Sequence, residues 1–116
     1  MRLTIVPADG AVYVDGASYL DLDLSFIPAD VHALQWYDTY GELEFKRSFV
    51  DGQIVHPINE ILTELPEWAN TAKTVWDAAK VVEEEAQLAA EQAAEEAKLL
   101  AEQEALANST TQTNAA

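Results

Sequence analysis

The sequence predicts an α+β fold: a small antiparallel β-sheet domain followed by one long C-terminal α-helix, serving as a coiled-coil or partner-binding rod. Three observations predict it. Residues 1–65 fall into short alternating apolar and polar runs, separated by breaks rich in glycine, aspartate and proline. Residues 66–107 hold no glycine and, after Pro66, no proline, and consist mostly of the strong helix formers alanine, glutamate, glutamine, leucine and lysine. Within that stretch Trp68, Ala72, Val75, Trp76, Ala79 and Val82 recur at three- and four-residue steps, which places two indoles and two valines on one helix face.

Taken in order, Leu3-Thr4-Ile5-Val6 alternates and carries β-branched residues, Pro7-Ala8-Asp9-Gly10 breaks it, and Ala11-Val12-Tyr13-Val14 resumes until Asp15-Gly16. This reads as strand, turn, strand. Tyr19-Leu20-Asp21-Leu22-Asp23-Leu24 alternates strictly and predicts a third strand with leucines inward and aspartates outward, before a loop from Ser25 to Asp30. His32 to Tyr37 and Glu42 to Arg47, joined by Asp38-Thr39-Tyr40-Gly41, predict a hairpin in which Leu34 and Trp36 share one face and Leu43 and Phe45 share a face of the partner strand. Asp51-Gly52 gives another turn, and Ile54-Val55 a short strand. Pro57 to Leu65 leads into the helix, with Pro66 at its first position.

The helix changes character along its length. Its first half, with the two tryptophans, is expected to dock on the sheet. From Ala86 the face continues through Ala89, Ala90, Ala93, Ala97 and Leu100, a narrow seam suited to close helix–helix contact with an identical chain or a partner. The alternative is a solvated single helix, since Glu83, Glu84, Glu85, Glu91, Glu95 and Glu96 repel one another. At about 1.5 Å per residue such a helix reaches on the order of 60 Å. Residues 108–116 are polar, have no apolar anchor, and are expected to form a disordered tail.

Twenty-one acidic residues against six basic ones give the 116-residue chain a net charge of −15. A surface built to neutralise phosphates is therefore not expected, nor attraction to an anionic membrane, whereas a basic partner surface matches. No cysteine is present, so disulfides and thiolate chemistry are absent and the redox compartment is open. The N-terminal apolar run is too short for a signal peptide and no later segment approaches a membrane span, so a soluble protein made in the cytoplasm of the cell that produces it is expected.

The residues that could carry chemistry are few. Asp21 and Asp23, two apart on a strand, could share a hard cation, yet a solvent-facing strand explains them without one and no loop has EF-hand spacing. His32 and His56 have no third histidine or cysteine to complete a zinc set. Of the serines, only Gly16-Ala17-Ser18 begins a nucleophile-elbow pattern, and Leu20 stands where its second glycine belongs. The four glycines are isolated, and none belongs to a phosphate loop. No enzyme, metal or cofactor is expected. Tyr37 and Tyr40, flanking the hairpin turn, are the aromatic candidates for partner contact, and Ala86, Ala89, Ala93, Ala97 and Leu100 are the candidates on the helix. Asn108-Ser109-Thr110 matches a glycosylation acceptor by chance, given the lack of a secretory signal.

Several clusters taken together also carry a resemblance. Met1-Arg2-Leu3-Thr4-Ile5, Pro7 to Gly16, Ala29-Asp30-Val31-His32-Ala33-Leu34-Gln35-Trp36, Asn59-Glu60 and Leu65-Pro66-Glu67-Trp68-Ala69 resemble a group of short proteins encoded by tailed bacteriophages, including cyanophages, whose genes lie among tail and tail-fibre genes. The similarity spans roughly residues 1–80 and leaves the distal helix out. It implies a role in the phage particle or its assembly and supplies no site residues. The expected function is thus a non-enzymatic tail-associated structural or adaptor protein of the virion, a homo-oligomer that docks through its β domain on a tail or tail-fibre protein. A tail-fibre assembly chaperone is the alternative, and a small metal-binding regulator a remote one.

Overall fold

The computed structural model describes the backbone of residues 1–114 and the side chains of residues 1–108. It comprises two compact units, Met1–Lys80 and Val81–Ala116. The α+β class holds: a six-stranded antiparallel sheet, a two-stranded ribbon and one long helix.

Strand β1 (Arg2–Val6) turns through a short 3-10 segment, Pro7–Asp9, into β2 (Ala11–Val14). Gly10 closes that turn at φ +57, and a Cβ there would meet the Leu22 carbonyl oxygen at 2.7 Å, so both conformation and space demand glycine. Strand β3 (Ala17–Tyr19) follows the two-residue Asp15-Gly16 loop, with Val14 opposite Ala17. Both loop residues have positive φ, 49 and 87, as a primed hairpin turn requires. The backbone of Asp15 donates to the Arg2 carbonyl at 2.9 Å, while its side chain accepts from the Arg2 backbone at 2.8 Å.

The third strand expected over Tyr19 to Leu24 does not form. Only Ala17–Tyr19 pairs; beyond it Asp21 adopts φ +57, and the Asp21 and Leu22 amides donate back to the carbonyls of Asp9 and Gly10 at 3.4 and 3.0 Å. The leucines therefore do not share a face: Leu20 is exposed, Leu22 half-buried, and Leu24 buried together with Ile27 from the following loop.

The central hairpin, β4 (Val31–Tyr37) and β5 (Gly41–Phe45), pairs Leu34 with Leu43 and Trp36 with Gly41. Gly41 is small for a reason: a Cβ there would sit 2.8 Å from Cε3 of Trp36, so the indole lies across it. A bulge between Val31 and Ala33 shifts the register and turns His32 outward. The ribbon consists of β6 (Ser48–Val50) and β7 (Gln53–Val55) around Asp51-Gly52, again both at positive φ. Strand β8 (Glu60–Leu62), within the stretch expected only to lead into the helix, pairs with β5 and completes the order β3-β2-β1-β4-β5-β8.

One face of this sheet is apolar. Leu3, Ile5, Val12, Val31 and Leu34 are all but inaccessible to solvent and meet Ala69, Ala72 and Trp76 of helix α1 (Glu67–Asn114) in a single core. The Pro66 carbonyl accepts the first helical bonds, from Ala69 and Asn70, so Pro66 caps the helix one position before its expected place at the first turn. Trp76 stands edge-on to Tyr19 at 5.5 Å between centroids, and its indole nitrogen donates to the Ala17 carbonyl at 3.0 Å. Trp68 packs at the margin of the same core.

In the second unit every residue from Val81 to Asn108 is exposed. The helical backbone continues to Asn114, into the stretch expected as a tail. The side chains of that tail beyond Asn108, and residues 115–116 altogether, lie outside the described residues.

Trp76→Ala removes a buried indole, its ring contact and its hydrogen bond, and is expected to cost about 3–5 kcal/mol in urea unfolding. Leu88→Ala, at an exposed position of the second unit, is expected to change the same transition by less than about 0.5 kcal/mol.

Candidate partner-binding surfaces

The hairpin turn brings Tyr37 and Tyr40 together. Their rings lie 5.1 Å apart at 35°, the Tyr37 amide donates to the Tyr40 carbonyl at 2.7 Å, and the Tyr37 hydroxyl donates to Gln35 Oε1 at 2.8 Å. Arg2 stacks its guanidinium over Tyr37 at 5.4 Å, and the Met1 ammonium pairs with Asp38 in the same turn. That carboxylate holds the ammonium above its ordinary pKa. Tyr40 is half exposed and Tyr37 less so, a small aromatic corner fixed by its neighbours.

The helix candidates are uniformly solvent-facing. Ala86, Ala89, Ala93, Ala97 and Leu100 are exposed, as are Val82, Leu88 and Leu99. Glu96, Leu99, Leu100 and Gln103 line a shallow depression on this helix, two polar side chains lying between the leucines. Leu88 and Leu99 are absent from the seam expected from sequence, because at about 3.6 residues per turn they fall on a different side of the helix from Ala86, Ala89, Ala93 and Ala97.

Of the concavities in the first unit, two bring charged side chains together around larger volumes. The larger, about 750 Å³, is bordered by Asp9, Tyr13, Leu20 and Asp21 and presents carboxylates. The second, about 550 Å³, is lined by His32, Phe45, Lys46, Arg47 and His56. The bulge in β4 exposes His32, β5 ends at Phe45, and the Lys46 amide is held by the Asp30 carbonyl at 2.8 Å. Ser48 pairs with Val55 at the base of the ribbon, which carries Arg47 and His56 side by side. Sequence reading missed this notch; the available signal was the adjacent Lys46-Arg47 pair in so acidic a chain.

The chemical candidates fare differently. Asp21 and Asp23 share no strand face, since that strand is absent. Asp23 instead accepts the Ser25 amide at 3.1 Å, and its carboxyl is held below the usual range by the Ser25 hydroxyl first and the amide second. Among the described residues no three His, Cys, Asp or Glu side chains gather as a metal site. The two histidines do meet in the notch, but Ser18, Ser25 and Ser48 are not among its lining residues, and the side chain of Ser109 lies outside the described residues. No helix among the described residues is long and apolar enough to cross a membrane.

Compared with protein-family models, with curated proteins and with solved structures, the chain matches none.

The Asp23 carboxyl is expected to titrate below an ordinary aspartate in carbon-detected NMR, and Ser25→Ala to move its midpoint upward. A lowered folded-state pKa means that the contribution of this contact is present above the unfolded value of about 3.9 and is lost as pH falls through the folded one. The acid limb of the stability curve is therefore where Ser25→Ala and the parent chain converge.

Proposed function

We propose that this chain is a non-enzymatic structural or adaptor protein of a bacteriophage tail, docking through its β domain and using the exposed face of its helix to join identical chains or a partner. The observation that carries the reading is the exposure of every described residue from Val81 onward, valines and leucines included. Val82 and Leu100, exposed at the two ends of the alanine face, hold apolar surface that helix–helix contact would bury. The alanines between them allow close approach of a second backbone. The resemblance of residues 1–80 to short proteins encoded among tail and tail-fibre genes supplies the setting. The carboxylate-lined concavity and the net charge of −15 favour basic surfaces on the docking partner.

Quantitative mass spectrometry of salt-washed particles is expected to find this chain at a fixed ratio to a tail protein of known symmetry. Abundance in the infected-cell lysate with absence from particles would favour the assembly-chaperone alternative instead. Ala89→Glu combined with Ala93→Glu, which keeps helix propensity while placing charge in the seam, is expected to lower the mass measured by sedimentation equilibrium to that of a monomer. An unchanged mass would remove the seam from the account.

A further inference from the structure

The cations of the first unit are unevenly committed. Arg2 lies over the Tyr37 ring, Lys73 is paired with Asp77 at 2.6 Å and lies over Trp76, and Lys80 stacks on the same indole at 5.4 Å. Lys46 and Arg47 are different: among the described residues neither is engaged by a carboxylate, although the chain carries twenty-one acidic residues. They line the notch together with both histidines of the protein and the Phe45 ring.

The donor set suits carboxylates. A guanidinium offers a planar fork, an ammonium three donors, and each imidazole at least one. The ribbon adds an apolar element to it. Phe49 and Ile54 form a direct cross-strand pair and are 69% and 51% exposed. In the alternation of the two strands Arg47 falls in step with Phe49, and His56 with Ile54. Cationic and apolar groups therefore run on from one another over a few residues.

We propose that the notch formed by His32, Lys46, Arg47 and His56, continued by Phe49 and Ile54, docks an acidic peptide segment of a partner protein. The partner's carboxylates sit on Lys46 and Arg47, and a neighbouring apolar side chain covers Phe49 and Ile54. Charge complementarity selects this occupant, for this is a basic concavity on a chain that elsewhere repels acid. A small free anion and an acidic peptide both meet the repulsion of the whole molecule, and the peptide that combines carboxylates with leucine or phenylalanine adds the apolar contact that the free anion lacks. The inference rests on the adaptor reading and gives the chemistry of one partner.

The test is titration of the isotopically labelled full chain, followed by NMR, with four probes. They are a synthetic peptide in which glutamates alternate with leucine and phenylalanine, its lysine counterpart, an all-glutamate peptide and inorganic phosphate. The mixed acidic peptide is expected to shift the resonances of His32, Phe45 to Phe49 and Ile54 to His56, and to bind more weakly as salt is added. Lys46→Ala with Arg47→Ala is expected to weaken it at least about tenfold, and Phe49→Ser severalfold, with the Trp76 resonances unmoved as the sign of an intact fold. Equal binding of phosphate would reduce the notch to a simple anion site and overturn the proposal. Overturning results also include equal binding of the lysine peptide, shifts confined to other surfaces, and self-association abolished by the double substitution, which would make a second copy the occupant. Because the measurement uses purified chain, its outcome is separable from particle counts, which test the adaptor reading alone.

Discussion

The seating of Trp76 on the sheet is the contact on which the first unit depends. A six-stranded sheet with one apolar face has nothing in its own strands to cover that face, and the cover comes from the helix together with Leu24 and Ile27 of the loop before β4. Trp76 buries a large ring there, meets Tyr19 edge-on, and satisfies its one polar atom at the Ala17 carbonyl. Ala17 belongs to the outer strand β3, so this hydrogen bond ties the helix to the end of the sheet.

A second tryptophan organises the middle of the sheet. Trp36 crosses Gly41 on the neighbouring strand, and the absence of a side chain at Gly41 leaves room for the ring against the backbone. That contact pins the end of the hairpin near the tyrosine turn, while the bulge at the other end of β4 absorbs the extra residue. The bulge turns His32 outward, and the end of β5 releases Phe45, Lys46 and Arg47 beside it. The same hairpin thus supports an aromatic corner at one end and a cationic notch at the other.

Strands β1 and β2, the central hairpin and the helix were legible because each announces itself locally, by period-two alternation, a turn dipeptide or a long run of helix formers. Strand β8 was not, because Glu60-Ile61-Leu62 has no pattern of its own and is extended only through pairing with β5. Tyr19 to Leu24 had the pattern without the strand: beyond an outer strand of three residues, hydrogen bonds to the β1–β2 turn hold the backbone differently. The tyrosine corner was readable from its place beside a turn. The notch was not, since it unites His32 and His56 through a bulge and a ribbon base that leave little trace in a single sequence.

Among the described residues, the four other than glycine with positive φ, Asp15, Asp21, Asp38 and Asp51, are all aspartates. Short polar side chains tolerate the left-handed region better than most, and asparagine does so as well as aspartate. A share of the protein's acidity is thus a by-product of how its backbone bends, with asparagine able to hold the same bends uncharged. Sequence drift at these positions can retune solubility and long-range attraction while leaving the architecture in place. Charge and shape, joined in this chain, are separable inheritances.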